Sequence, residues 1–422
     1  VSIHARLYEA GLGRLPRPVW LEVDVDALRN NVSVVREMVG PRAEIYAVVK
    51  ADAYGHGLKA VGRIFESAGV DRLSVASLDE AFALRDAGVT LPIIVLFPAP
   101  LGSLNYPAAA GIEITLSDPT AARRLQRFLG PAPELLGVHV EVETGLTRGG
   151  LKPEAVPAAI ASLEANPYVR VAGMWTHLAT PEDEATTSGQ IAEFELATSL
   201  VRAAGLTVPP RHVAATGGLL TGRAPTYEGV RIGLGLYGLL PLDLPIPEEL
   251  GGFADRLRPA MQLKCQALRV ERFPAGVGVS YGGRWRTERE SVIATLPVGY
   301  ADAIPRPAPW GEVLVKGRRM PLVGNVAMDA VMADVTDIAD SLGPEDEFVL
   351  LGPQGGDEIA AQELSRVRNT IPWEVVTGMS YRIPRVYHAA SVLVGIRTLN
   401  SETHVSSSRL TNEGVHGVIN QP

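Results

Sequence analysis

Residues 47–57, AVVKADAYGHG, place a lysine at the end of an apolar run. Lys50 is flanked by Val48, Val49 and Ala51. Such neighbours strip water from an ammonium, lower its pKa and free the amine as a nucleophile. A surface lysine snorkelling from a strand end is the plainer reading, and on this motif alone both stand. Tyr54, His56 and the two glycines of the same stretch suit a phosphate-binding turn or an ordinary one. HVEVE at 139–143 is a second polar cluster. In an extended chain His139, Glu141 and Glu143 share one face, with Val138, Val140 and Val142 on the other. At ~3.3 Å per residue His139 and Glu143 lie about 13 Å apart, too far to share one ion. His139 with Glu141 stays open as a metal pair, but a polar interior face is the better reading. GLGLYG, with Gly233, Gly235 and Gly238, fits G-x-G-x-x-G. A dinucleotide site needs a helix to follow. Pro241, Pro245 and Pro247 follow instead, so the triplet is rejected.

These residues need elements to hold them. From residue 24 the pattern alternates helix and strand. Asp24 suits an N-cap, Leu28, Val32, Val35 and Val39 form a helical stripe, and Gly40 can end it. Short apolar runs follow at 45–49, 73–76, 93–97, 112–116, 136–142, 168–174, 211–214 and 230–234. Helical patterns lie between most of them, at 57–68, 118–129, 153–165 and 186–204. Eight strands alternating with helices predict a (β/α)₈ TIM-type barrel over 18–254, an α/β fold whose strand ends face the active site. An open doubly wound sheet is the runner-up. PLDLPIPEELGGF at 241–253 reads as a linker. From 255 to 396 strands dominate (QLKCQALRV, SVIATLPVGY, VLVKGRRMPLVGN, EFVLLG, ASVLVGIR), a second, mostly β domain. One helix interrupts it, with Asp357 as N-cap. Residues 397–422 read as a flexible tail.

Composition narrows the function classes. At 46% hydrophobic and 20% charged the chain is globular, not disordered. Its longest apolar run, IIVLF at 93–97, falls far short of the ~20 residues that span a bilayer. No secretory signal is visible, so a cytoplasmic protein is expected. A net charge of −8 gives no footprint for nucleic acid or an anionic membrane. The single cysteine, Cys265 in LKCQAL, excludes an internal disulfide or a Cys-cluster metal site. It reads as a small core residue.

VVKADAYGHG resembles the cofactor-lysine motif of the alanine racemases, fold-type III pyridoxal 5′-phosphate enzymes. Further matches run in the family's order: ETGLTRGG (143–150), WTHLAT (175–180), RIGLGLYGL (231–239), GVSYG (278–282), PVGYAD (297–302), GNVAMD (324–329) and SYRIPR (380–385). They span both domains, from about residue 18 to 396.

The resemblance implies racemisation of L- and D-alanine by two bases on pyridoxal phosphate, supplying D-alanine for peptidoglycan. Lys50 would carry the cofactor and serve the D-antipode; Tyr281, delivered by the second subunit of a homodimer, would serve the L-antipode. Tyr54, Thr216, Gly233, Leu234 and Tyr381 would form the phosphate shell. Arg148, otherwise a surface ion pair, would contact the phenolic oxygen and the substrate carboxylate. Arg231 would face the pyridine nitrogen and keep it unprotonated. His177, otherwise a core histidine, would link Arg231 to Tyr281. Tyr300 and Met328 would crowd the substrate to a methyl side chain. Two positions depart from the family pattern. Thr216 stands where serine is usual, without the preceding Asn, and Glu141 stands where many members carry a carbamylated lysine. Three alternatives remain: a broader-specificity racemase, a related decarboxylase with a site cysteine, and a non-enzymatic pyridoxal-phosphate homeostasis protein. Cys265 lies away from the Tyr281 position, and the barrel-only protein would not need the second domain.

Overall fold

The computed structural model describes residues 2–402 apart from 101, 103–104, 119, 122–124, 126–133 and 307–310. Most of the 118–129 helical pattern and the tail beyond residue 402 lie outside the described residues. Eight parallel strands close into a barrel: Glu44–Val48, Arg72–Val75, Ile93–Val95, Ile112–Leu116, Leu136–Glu141, Val169–Trp175, Arg211–His212 and Gly229–Ile232. The first and eighth strands pair from Glu44↔Gly229 to Ala47↔Ile232, which seals it. All eight coincide with apolar runs of the sequence, because strands covered on both faces read as unbroken hydrophobic stretches. Helix Val25–Val39 leads into the barrel, and helices Leu58–Ser67, Leu78–Asp86, Val156–Glu164 and Glu184–Ala203 connect its strands. Asp24 Oδ1 caps the first, accepting from Asp26 and Ala27 amides at 2.8 and 2.9 Å. Gly40 ends it at φ +76°, a conformation that favours glycine.

The chain divides into two compact units, one comprising Arg29–Ala53 and Leu58–Arg258, the other residues up to Leu28, Tyr54–Gly57 and from Pro259 onward. The second unit is built on an 11-stranded sheet. Strand Val19–Asp24 sits within it, antiparallel to Met261–Gln266 and parallel to Arg385–Ala389. The sequence division runs along the chain; this strand does not, because its backbone groups are satisfied by strands from the far end. QLKCQALRV breaks into Met261–Gln266 and Arg269–Phe273, which pair with different neighbours. VLVKGRRMPLVGN is a hairpin whose turn, Lys316–Gly317, is left-handed at both residues, as a two-residue turn requires. Asp357 is no N-cap. Asp357–Ile359 pairs as a strand with Gly352–Gln354 and its carboxylate binds Arg319, while the helix starts at Ala361. The 241–253 stretch carries a short helix, Glu248–Ala254. After Gly233 there is one 3₁₀ turn, Leu234–Tyr237, closed by left-handed Gly238. No dinucleotide helix follows.

Candidate active site

In the barrel unit the candidate residues gather at the carboxyl ends of the strands. Lys50 follows the first strand and opens a turn in which Ala51, Asp52, Ala53 and Tyr54 all have φ between +51° and +55°. Four successive L-residues in that region are costly, roughly 1–2 kcal/mol each, so the turn must be held. Glu80 holds it by accepting from the Ala51 amide at 2.6 Å and the Ala76 amide at 2.8 Å. Asp52 Oδ1 accepts from the Leu58 amide at 2.8 Å. The following segment, Tyr54–Gly57, belongs to the second unit and is clamped there. Arg385 Nε donates to the Gly55 carbonyl and the Tyr387 hydroxyl to the His56 carbonyl, both at 3.0 Å. A Cβ at Gly55 would lie 2.2 Å from the Val376 carbonyl oxygen. Tyr54 is buried, and burial raises its hydroxyl far above the usual range, so it stays a neutral donor.

The Lys50 amine and the Arg148 guanidinium both lie over the Phe97 ring, 5.9 and 5.5 Å from its centroid. Burial, then the Arg148 charge, pull the Lys50 ammonium below the ordinary lysine value. Arg148 makes no ion pair among the described residues. Glu141 accepts a short hydrogen bond from the Ser117 hydroxyl and occupies the space left by Gly149, where a Cβ would be 3.1 Å from Oε2. Burial raises its carboxyl; Ser117, Arg148 and Arg231 counter it only in part. Glu141 therefore acts on Arg148 electrostatically and not through a direct hydrogen bond.

Arg231 is buried and its donors go to neutral acceptors. Nη1 meets the His212 carbonyl and His212 Nδ1 (3.0 Å), and Nη2 meets the Thr176 carbonyl (2.6 Å) and His177 Nδ1 (3.4 Å). Its guanidinium lies 4.5 Å from the Trp175 ring centroid. Burial lowers it to about 9, still cationic at neutral pH. Burial and the charges of Arg231, Arg148 and Lys50 push His177 down to about 3, so it is a neutral imidazole. Thr216 opens the helix Thr216–Leu220, and its Oγ1 accepts from the Gly235 amide at 3.1 Å. That bond brings the start of this helix against the start of the 3₁₀ turn after Gly233, where backbone N–H groups lack intrahelical partners.

The other candidates stand in the second unit. GNVAMD holds three of them in place. The Asn325 side chain donates to the Tyr281 carbonyl (2.6 Å), and the Tyr300 and Ala301 amides donate to the Ala327 and Met328 carbonyls (3.0 Å each). Asp302, wholly buried, anchors this region by bidentate bonds to Arg17 and Arg382. Tyr381 lies under the Arg397 guanidinium at 4.2 Å. Tyr281, Tyr300, Met328 and Tyr381 remain 68, 41, 53 and 56% exposed in this chain. Among the described residues no group of His, Cys, Asp and Glu could hold a metal, and no helix is long and apolar enough to cross a membrane.

The family model for the alanine racemase N-terminal domain matches residues 23–241, and that for the C-terminal domain matches 260–387. The chain belongs to the alanine racemase family. An alanine racemase of Desulfovibrio desulfuricans is 36% identical over 375 residues, 88% of this chain and 98% of the relative. The structure of an alanine racemase from Bacillus anthracis with bound L-Ala-P superposes with TM-score 0.84 at 32% identity, covering 92% of this chain and 99% of that one. A histidine racemase from Leuconostoc mesenteroides shares the fold at TM-score 0.79 and 28% identity, covering 89% of this chain and 99% of that one.

Several residues that touch the barrel candidates were not singled out by the sequence. Glu80, Phe97, Ser117 and His212 reach the barrel candidates from other elements of the chain. Only Glu80 had a local cue, since Ser77 and Glu80 have capping-box spacing, and Glu80 does reach back to backbone amides.

Proposed function

We propose that the protein racemises alanine, with pyridoxal 5′-phosphate carried on Lys50. The observation that supports this most is a strand-end lysine with a depressed ammonium, set near arginines that make no ion pair among the described residues. The donor set fits the cofactor. Arg148 is unpaired among the described residues, Arg231 meets only carbonyls and imidazoles, and Thr216 with the amides around Gly233 and Leu234 suits a phosphate. Tyr54 and Tyr381 would complete that shell. When bound, pyridoxal phosphate supplies an electron sink that acidifies the α-hydrogen of an amino acid. Lys50 Nζ, uncharged at lower pH than an ordinary lysine, then exchanges a proton on one face, serving the D-antipode. Tyr281 Oη does so on the other, serving the L-antipode. Arg148 orients the substrate carboxylate by its planar fork. Arg231, still cationic, would face the ring nitrogen and keep it from taking a proton, with neutral His177 at its flank.

We further propose an isologous homodimer, in which Tyr281, Tyr300 and Met328 of one chain complete the other's site. Their exposure in the single chain supports this reading. Tyr300 and Met328 would restrict the side chain to a methyl group, and the D-alanine formed in the cytoplasm would feed peptidoglycan. The test is an absorbance spectrum of the purified protein with racemisation of L-alanine, L-serine, L-lysine and L-histidine measured side by side. A pyridoxal-phosphate band with preferential turnover of alanine is expected. Equal turnover of the larger substrates would favour the broad-specificity alternative, and a bound cofactor with no α-proton exchange would favour the homeostasis protein.

A further inference from the structure

A line of hydrogen bonds crosses the barrel interior from its amino-terminal rim to the catalytic rim. It starts at Glu113, near the beginning of the fourth strand, whose carboxylate accepts from Arg72 and Arg170 at 2.7 Å each and from His139 Nε2 at 2.9 Å. His139 Nδ1 lies 2.9 Å from His212 Nε2, and His212 Nδ1 lies 3.0 Å from Arg231 Nη1. All four members of the line are buried. The backbone leaves room for it. A Cβ at Gly173 would sit 2.4 Å from His139 Nδ1 and 3.1 Å from His212 Nε2, and one at Gly137 would sit 2.7 Å from Glu113 Cγ.

The two ends fix the sense of every bond between them. An ionised carboxylate only accepts and a guanidinium only donates. Burial would raise Glu113, but the His139 hydrogen bond and the Arg72 and Arg170 cations outweigh it and hold the group well below the usual carboxylate range. Burial lowers both imidazoles, leaving one proton on each. The other groups against them are the rings of Tyr46 and Trp175, 4.7 and 6.2 Å from the His212 centroid. Burial keeps the Tyr46 hydroxyl neutral. One assignment then satisfies the line: His139 donates from Nε2 to Glu113 and accepts at Nδ1, and His212 donates from Nε2 and accepts at Nδ1 from Arg231. The opposite tautomer of His212 would set an N–H against the guanidinium.

We propose that Glu113 and His139 are positioning residues for Arg231: they lock His212 with its proton on Nε2, so that the Nδ1 lone pair fixes the guanidinium plane at the catalytic rim. The proposal rests on the reading of Arg231 as the group beside the cofactor ring nitrogen. It separates these residues from a polar packing layer, which would tolerate either tautomer.

The test is ¹⁵N NMR of histidine-labelled protein, without substrate, together with steady-state kinetics of two variants. In the wild type, His139 and His212 are expected as neutral Nε2–H tautomers between about pH 6 and 8. His139→Leu, which leaves Glu113 its two arginines, should release His212 into a mixture of tautomers. It should also lower kcat for alanine roughly tenfold or more with little change in KM. His139→Gln keeps one donor and one acceptor and should restore both. A protonated or Nδ1–H His212 in the wild type overturns the proposal, and does so even if His139→Leu fails to fold. An equal loss of kcat in both variants, or no change in either, would make His139 a packing residue. The tautomer readout uses no substrate, so it judges the line independently of the racemase reading.

Discussion

At the scale of single residues, the proposed chemistry turns on the depressed ammonium of Lys50. Borohydride reduction of the holoprotein followed by peptide mapping should find the cofactor fixed to Lys50, and Lys50→Ala should lose the cofactor absorbance. Label on Lys59 or Lys152 would overturn the assignment. Glu141 yields a second expectation. Its carboxylate needs no carbon dioxide to become an anion, so activity should be independent of added bicarbonate. It acts on Arg148 through space and not through a direct bond. Glu141→Gln should therefore cost about 1 kcal/mol of substrate binding, roughly fivefold in KM. An unchanged KM would leave Glu141 as a lining residue anchored by Ser117. The placement of Lys50 and Arg231 at barrel strand ends was legible because motif and apolar run coincide. The unpaired state of Arg148 was not, because a local pattern cannot say which distant carboxylates stay away.

At the scale of elements, the turn after Lys50 carries strain that the sequence hides, since AlaAspAla shows none of the glycine that marks left-handed backbone. Ala51 is exposed and left-handed. Ala51→Gly should stabilise the protein by up to ~1 kcal/mol, the steric relief offset by the greater freedom of glycine in the unfolded chain. A urea midpoint that stays or falls would show that the turn is not strained. Gly55→Ala should do the reverse, costing on the order of 3 kcal/mol as its methyl meets the Val376 carbonyl. The eight barrel strands were legible from their apolar runs, but the membership of Val19–Asp24 in the second sheet was not. Periodicity reports which face of a strand is buried and says nothing of which strand supplies its hydrogen bonds. Asp357 shows the same limit: a capping residue type preceded a helical pattern, and Arg319 claimed its carboxylate instead.

At the scale of the molecule, three histidines of the barrel couple stability to pH. His139, His177 and His212 all sit below the ordinary value of 6.5, with burial the first cause in each. Below about pH 6.5 the unfolded chain takes up protons that the folded one refuses, so stability falls on acidification through that range. Glu22, lowered to about 2 because Lys264 and Arg6 outweigh its burial, adds to the loss below the carboxylate range. The urea midpoint should therefore decline already between about pH 6.5 and 5, and a flat midpoint there would contradict neutral buried imidazoles. If sites are shared between subunits, inactive Lys50→Ala and Tyr281→Ala proteins, mixed and re-associated, should regain activity, because one composite site of the heterodimer has both wild-type bases. Absent activity despite proven re-association would end the shared-site reading. The most direct test of the whole account is incubation of the pyridoxal-phosphate-loaded protein with L-alanine in deuterium oxide. D-Alanine carrying deuterium at Cα should accumulate, and Lys50→Ala should form none. Unchanged L-alanine, or equal D-alanine from the Lys50 variant, would contradict it.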